Sequence, residues 1–210
     1  MSTAAARVER PAAAERLLEA ASQAFADKGF HATTTRDIAA RAEMSPAAVY
    51  VHFATKEALL YELSLVGHRA ALGVVTSAIA DAGSRPAGQL TAVVRDFAAW
   101  HATHRRTARV VQYELTALTP GHRKEITSLR REIQHRVRIV LESGVREGRF
   151  VVPDVPGTAL ALLSLVVDVA RWYRPDGPRS PDQIGALYAD LALRMVTAGS
   201  PPGPTPVSRG

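Results

Sequence analysis

The sequence predicts an all-α protein of about nine helices, and three observations carry that expectation. Apolar residues recur every three or four positions through most of the 210 residues, as in Leu90, Val93, Val94, Phe97 and Trp100. No stretch alternates apolar and polar residues as a half-buried strand would, and no internal repeat is visible. Ser, Thr and Asp caps, with prolines and glycines at the breaks, divide the chain into helix-length pieces. Hydrophobic residues make up 47 %, enough for a core in one large or two small domains. The expected division is an N-terminal three-helix domain over 1–55, a larger helical domain over 56–198 and a tail over 199–210.

Helix one is expected over 12–28, with Leu17, Leu18, Ala21 and Phe25 on one face and Gly29 as its stop. It follows an arm over 1–10 that carries Arg7 and Arg10. A short helix over 35–42 is then capped by the Thr35 hydroxyl, with Ile38, Ala39 and Ala42 facing inward. Glu43 and Met44 make a turn. Ser45 caps a second short helix, and Pro46 takes its first position, where the missing N–H costs nothing. Two short helices around a tight turn are the helix-turn-helix, whose second helix enters the DNA major groove.

Thr55 caps helix four, expected from Lys56 to Ala82. The Gly, Ser and Pro content of 81–88 marks a turn. Helix five is expected over 89–104 and helix six over 106–116. Pro120 and Gly121 read as a breaker before helix seven, over 122–147. Asp154 caps helix eight, which ends near Arg174 and Pro175 and is apolar nearly all round, so it needs cover on more than one side. Helix nine is expected over 181–198. The proline- and glycine-rich tail is expected to be disordered.

The stretch 33–60 resembles the N-terminal domain of the TetR family of bacterial transcriptional regulators. Thr34, Arg36, Asp37, Ile38, Ala39, Ala42, Ser45, Val49, Tyr50, His52, Phe53, Lys56, Glu57 and Leu59 carry the match, and Ala20, Ala21, Phe25, Gly29 and Phe30 extend it. Glu43 stands where the family usually has glycine, which implies a turn that a non-glycine residue accepts. Ala47 stands where glycine is common. The resemblance implies a DNA-binding set of Thr35, Arg36, Ser45, Pro46, Ala47, Ala48, Tyr50, His52 and Lys56. Within it Thr35, Tyr50, His52 and Lys56 contact phosphates, aided by helix N-termini. Arg36, Pro46, Ala47 and Ala48 face the bases. Arg36 is able to pair bidentately with guanine, whereas the alanines and Pro46 offer only apolar contact, for instance to thymine methyls.

A second resemblance lies in RWYRPDGP over 171–178, followed by Ser180, Pro181, Ile184 and Tyr188. It looks like TetR regulators of fatty-acid and sterol catabolism, some of which respond to acyl-coenzyme A thioesters. It implies a pocket among helices five to eight. Phe97, Trp100 and Tyr113 form an apolar wall and Val167 joins from helix eight. Arg109 stands at the mouth, with Arg171 and Trp172 on the other side. An anionic ligand favours arginine, which keeps its charge when partly buried. The charge surplus of +6 lies wholly in 101–150, with eleven basic and five acidic residues, whereas 1–60 holds seven of each. Arginines on long helices also pair with glutamates one turn away, as Arg138 and Glu142 would.

Other chemistry finds little support. With no cysteine there is no disulfide and no thiolate metal site. His101 and His104 lie three apart without a nearby carboxylate and read as partly exposed polar residues. Ser164 and Asp168 share a helix face without a histidine or a nucleophile elbow. No catalytic residue, metal or cofactor is therefore expected. The N-terminus has no apolar run for a signal peptide, and the longest apolar run, 159–170, falls short of the ~20 residues of a membrane span. The expectation is a cytoplasmic, homodimeric, ligand-responsive repressor of a palindromic operator, paired through helices eight and nine and released by a hydrophobic or acyl-coenzyme A effector. The alternative is a helical lipid- or acyl-binding protein with a vestigial helix-turn-helix, which the balanced charge of 1–60 favours.

Overall fold

The structure, a computed structural model, describes residues 11–197, so the arm over 1–10 and the tail over 199–210 lie outside the described residues. In chain order the helices are α1 (Ala12–Ala32), α2 (Thr35–Arg41), α3 (Pro46–His52), α4 (Lys56–Asp81), α5 (Pro86–Thr103), α6 (Arg105–Tyr113), α7 (Pro120–Arg146), α8 (Val155–Trp172) and α9 (Pro181–Thr197). A single 3₁₀ turn, Leu115–Ala117, follows α6. Among the described residues there is no strand.

The boundaries correct the sequence reading in two places. Pro86 opens α5 and Pro120 opens α7, where a turn and a breaker were expected. Proline is favoured in the first turn of a helix, because the N–H it lacks has no intrahelical partner there. Gly29, at φ 78° and ψ 161°, is non-helical and interrupts α1 where the sequence expects its stop, with one short turn running on to Ala32. α4 and α8 are long and apolar enough to cross a membrane by length and composition, a test that core helices also meet. α4 buries Leu59, Leu60, Leu63, Ala71, Val75 and Ala78.

The helices form two compact units. The first joins the residues up to His68 to Arg106–Thr127, and the second joins Arg69–Arg105 to the residues from Ser128 onward. These units divide the chain within α4, after His68, and set α6 with the first of them. Leu17, Phe25, Ile38, Val49, Phe53, Leu59 and Leu60 are buried in the first unit. Polar contacts fasten the later segment to it. The Ser22 and Thr107 hydroxyls are 2.8 Å apart, and the Phe30 N–H donates to Glu114 Oε1 at 3.1 Å. Glu57 Oε1 accepts from the Thr119 N–H at 2.9 Å and lies 2.8 Å from His122 Nδ1. The His122 ring stacks on Tyr61 at 3.7 Å, and the Tyr61 hydroxyl donates to Glu125 at 2.6 Å.

In the second unit α5 packs against α8 and α9 around Leu90, Val93, Phe97, Val137, Leu141, Leu162, Val166 and Ile184. Gly185 sets how near α9 comes to α5. A Cβ there would stand 2.5 Å from the Arg95 carbonyl oxygen. Beyond α7, the Val151 N–H donates to the Val196 carbonyl at 2.7 Å.

Candidate functional site

α2 starts at Thr35 as expected, but Thr34 caps it. Its hydroxyl oxygen accepts from the Asp37 N–H at 3.1 Å, and Asp37 Oδ2 accepts from the Thr34 N–H and hydroxyl, each at 2.8 Å. This reciprocal pair is a capping box, with aspartate in the place of the usual glutamate. The Thr34 backbone N–H, then its hydroxyl, then the Lys28 ammonium at 3.0 Å hold the Asp37 carboxyl down to about 2. The Thr35 hydroxyl is thereby left for Tyr50, whose own hydroxyl lies 3.2 Å away and ties α2 to α3.

The turn between them is strained at one residue. The Met44 N–H donates to Ala39 O at 2.9 Å and the Glu43 N–H to Ala40 O at 3.2 Å, the pattern of a Schellman stop. That pattern requires the left-handed region at Glu43, and its φ is 55°. The turn therefore does not suit a non-glycine residue; Glu43 bears the steric cost that glycine would avoid. Ser45 then accepts from the Ala48 N–H at 3.2 Å, and Pro46 opens α3, both as expected.

α3 directs the fully buried Val49 inward, while Pro46, Ala47, Tyr50 and Val51 are exposed. Ala48 and His52 are half-buried, and Arg36 on α2 is exposed. Lys56 is placed otherwise than the sequence implied. Its ammonium donates to the carbonyls of Phe30 at 2.7 Å, Thr33 at 2.8 Å and His31 at 3.4 Å, and it sits 4.3 Å from the centre of the Phe30 ring. An ammonium has three N–H donors, and these carbonyls are placed to accept them. The physical reason is the C-terminus of α1, whose carbonyls and negative dipole end attract a cation. Thr33 helps there, donating to Ala24 O at 3.1 Å and Gly29 O at 2.8 Å.

The candidate ligand residues fall in both units. Phe97 is buried in the core of the second unit, 6.1 Å from the half-buried Trp100. His101 is buried too, where a partly exposed residue was expected; its Nδ1 lies 2.9 Å from Phe97 O, while His104 is exposed and stacks on Trp100. Val167 is half-buried on α8. Arg171 grips Asp168 through Nε at 2.6 Å and an Nη at 2.8 Å, which holds the Asp168 carboxyl below its ordinary value. Arg109 and Tyr113 belong to the first unit and are exposed on α6. Of the set, Trp172 alone lines the cleft of about 300 Å³ between α8 and α9, beside Leu165, Arg179, Leu187, Tyr188 and Leu191. Burial there lifts the Tyr188 phenol above its ordinary value. Along α7, Arg136 pairs with Glu132 at 2.7 Å and Arg138 with Glu142 at 3.1 Å, so part of the basic surplus is neutralised one turn away.

A capped helix, a Schellman turn and a second helix with a bare outer face define a helix-turn-helix protein. The family profile described as bacterial regulatory proteins, tetR family, matches residues 17–63, and that of the tetracyclin repressor-like C-terminal domain matches 83–196. The chain belongs to the TetR family. It is 33 % identical over 185 residues to the HTH-type transcriptional repressor KstR2 of Mycobacterium tuberculosis, covering 86 % of this chain and 91 % of that one. A tetR-family regulatory protein from Rhodococcus RHA1 superposes with a TM-score of 0.85 at 43 % identity, covering 89 % of this chain and 98 % of that one. AibR in complex with isovaleryl coenzyme A and operator DNA shares the fold, with a TM-score of 0.77 at 24 % identity over 88 % and 98 % of the two chains.

Proposed function

We propose that the protein is a dimeric, ligand-responsive transcriptional repressor that works in the cytoplasm. The observation that carries this is α3: short, capped at Ser45, pinned to α2 through Thr35 and Tyr50, and bare on its outer face. Each subunit presents α3 to one half-site of a palindromic operator, with Arg36 alongside and Thr35, Tyr50 and His52 toward phosphates. The direct test is binding to duplexes enriched by the protein from a randomised pool, measured at several salt concentrations. A helical lipid-binding protein with a vestigial motif would enrich none.

The seam of the dimer is the face of α8 and α9. Leu160, Leu165 and Trp172 on α8, and Leu187, Leu191 and Met195 on α9, are all exposed. Leu187, Leu191 and Met195 recur every four residues, so they form one stripe. Across a two-fold axis the two helices and their copies make a four-helix bundle, and the α8–α9 cleft closes within it. Leu191→Glu is expected to give monomers in sedimentation at micromolar protein; a variant that stays dimeric and binds DNA would move the seam elsewhere.

The effector is a hydrophobic acid carried as its coenzyme A thioester. Support comes from the likeness to KstR2, a ketosteroid transcriptional regulator, and from the thioester held by AibR on this fold. Effector binding favours a spacing of recognition helices that no longer fits successive major grooves. Titrating the DNA complex with a thioester, its free acid and coenzyme A alone is expected to give release by the thioester only. Release by a neutral hydrophobe, unchanged in Arg109→Ala, would sink the thioester reading.

A further inference from the structure

The ridge of α3 that faces away from the core carries a residue outside the DNA-binding set read from the sequence. Val51 is 79 % exposed, more than any other large apolar side chain among the described residues. With the buried Val49 marking the inward direction, Ala47 and Val51 each stand about 160° around the helix from it, one turn apart. They are thus the crest that would enter a groove first. Neither has a hydrogen-bonding side chain, and neither do their neighbours Pro46 and Ala48. The Tyr50 hydroxyl faces Thr35 at 3.2 Å, and His52 is half-buried at the far end. In the major groove, the apolar group displayed on base edges is the thymine C5-methyl.

We propose that Val51 reads thymine. Its two methyl groups pack on the C5-methyl of a thymine in each half-site, with Ala47 flanking. The crest of the recognition helix then selects its operator by methyl contact, and bidentate hydrogen bonding is left to Arg36 on α2. This rests on the DNA-binding reading above.

The test uses duplexes enriched by the wild-type protein from a randomised pool. Each thymine is replaced singly by deoxyuridine, which lacks only the methyl group. One thymine per half-site is expected to weaken binding about three- to fivefold on replacement, the value of one buried methyl group. Val51→Ala, which suits a helix and is expected to melt like wild type, should weaken binding to the thymine duplex about five- to tenfold. On the uracil duplex at that position it should add no more than about twofold, because the methyl contact is already broken. A flat uracil scan on a tightly bound duplex overturns the methyl reading and leaves DNA binding intact, and so does a uracil loss that persists in Val51→Ala. Failure to enrich any duplex overturns the DNA-binding reading and this one with it.

Discussion

α3 and α8 both turn apolar side chains to solvent, yet different forces hold them. α3 has seven residues, of which Val49 alone is buried, and its place is set by hydrogen bonds: the Ser45 cap, the Thr35–Tyr50 tie and the Schellman turn before it. The helices around it are clasped in the same way, with Lys56 on the end of α1 and Asp37 on the start of α2. α8 has eighteen residues, and Ala159, Leu162, Val166, Val169 and Ala170 sink into the core of the second unit. Short helices bury too little to fix themselves by packing, so directional bonds locate them. Long helices are located by shape.

That contrast breaks hardest at Gly185. Gly185→Val is expected to force α9 off α5 and cost about 3 kcal/mol or more. Both tryptophans, Trp100 and Trp172, lie in the second unit, so intrinsic fluorescence during urea unfolding reads the loss there. A near-normal midpoint would mean that the close approach is not needed.

The clasp is tested by Lys56→Met, which removes the ammonium from the carbonyls of Phe30 and Thr33. A cost of about 1–3 kcal/mol in melting is expected, with weaker DNA binding but an unchanged slope of affinity against salt. A slope smaller by about one, with normal melting, would return Lys56 to a phosphate. Glu43→Gly sharpens the same side of the comparison in the opposite direction. Relief of the left-handed turn is expected to add about 1 kcal/mol, readable as a higher melting temperature.

The smallest effect is the titration of Asp37. Its folded value is held down to about 2 against the ordinary 3.8. The capping box therefore contributes fully above pH 3.8 and loses its contribution as the pH falls toward 2. Asp37→Asn is expected to be less stable than wild type at neutral pH and to converge with it in acid. Parallel melting curves at both pH values would show that the box does not matter.

Much of the first unit was legible because its signals are local. Ser45, Pro46 and the spacing to Tyr50 place α3 within a residue. The error of one position at the cap of α2 was avoidable, since Thr34 followed three residues later by Asp37 is itself a box. Pro86 and Pro120 misled because the same residue that breaks a helix inside also starts one. The charge of Lys56 is legible in the sequence, but its position opposite the end of α1 is tertiary. The ligand set was the least legible part. Arg171 answers to Asp168 on its own helix, and nothing in the spacing of Arg109 and Tyr113 shows that they belong with residues near the N-terminus.

Ser22, Phe30, Glu57 and Tyr61 all lean on a segment that arrives 62 to 85 residues later in the chain. The reading head is for that reason a discontinuous cassette. A chimera that fuses residues 1–68 to a foreign sensing part strips the cover from Gly67, where Thr107 and Val111 stand 3.9 Å from a would-be Cβ, and strands the Phe30 amide and the Glu57 carboxylate. Swapping specificity between relatives therefore calls for 106–127 to travel with the helix-turn-helix, or for a recipient whose own segment presents the same hydroxyl, carboxylate and imidazole to it.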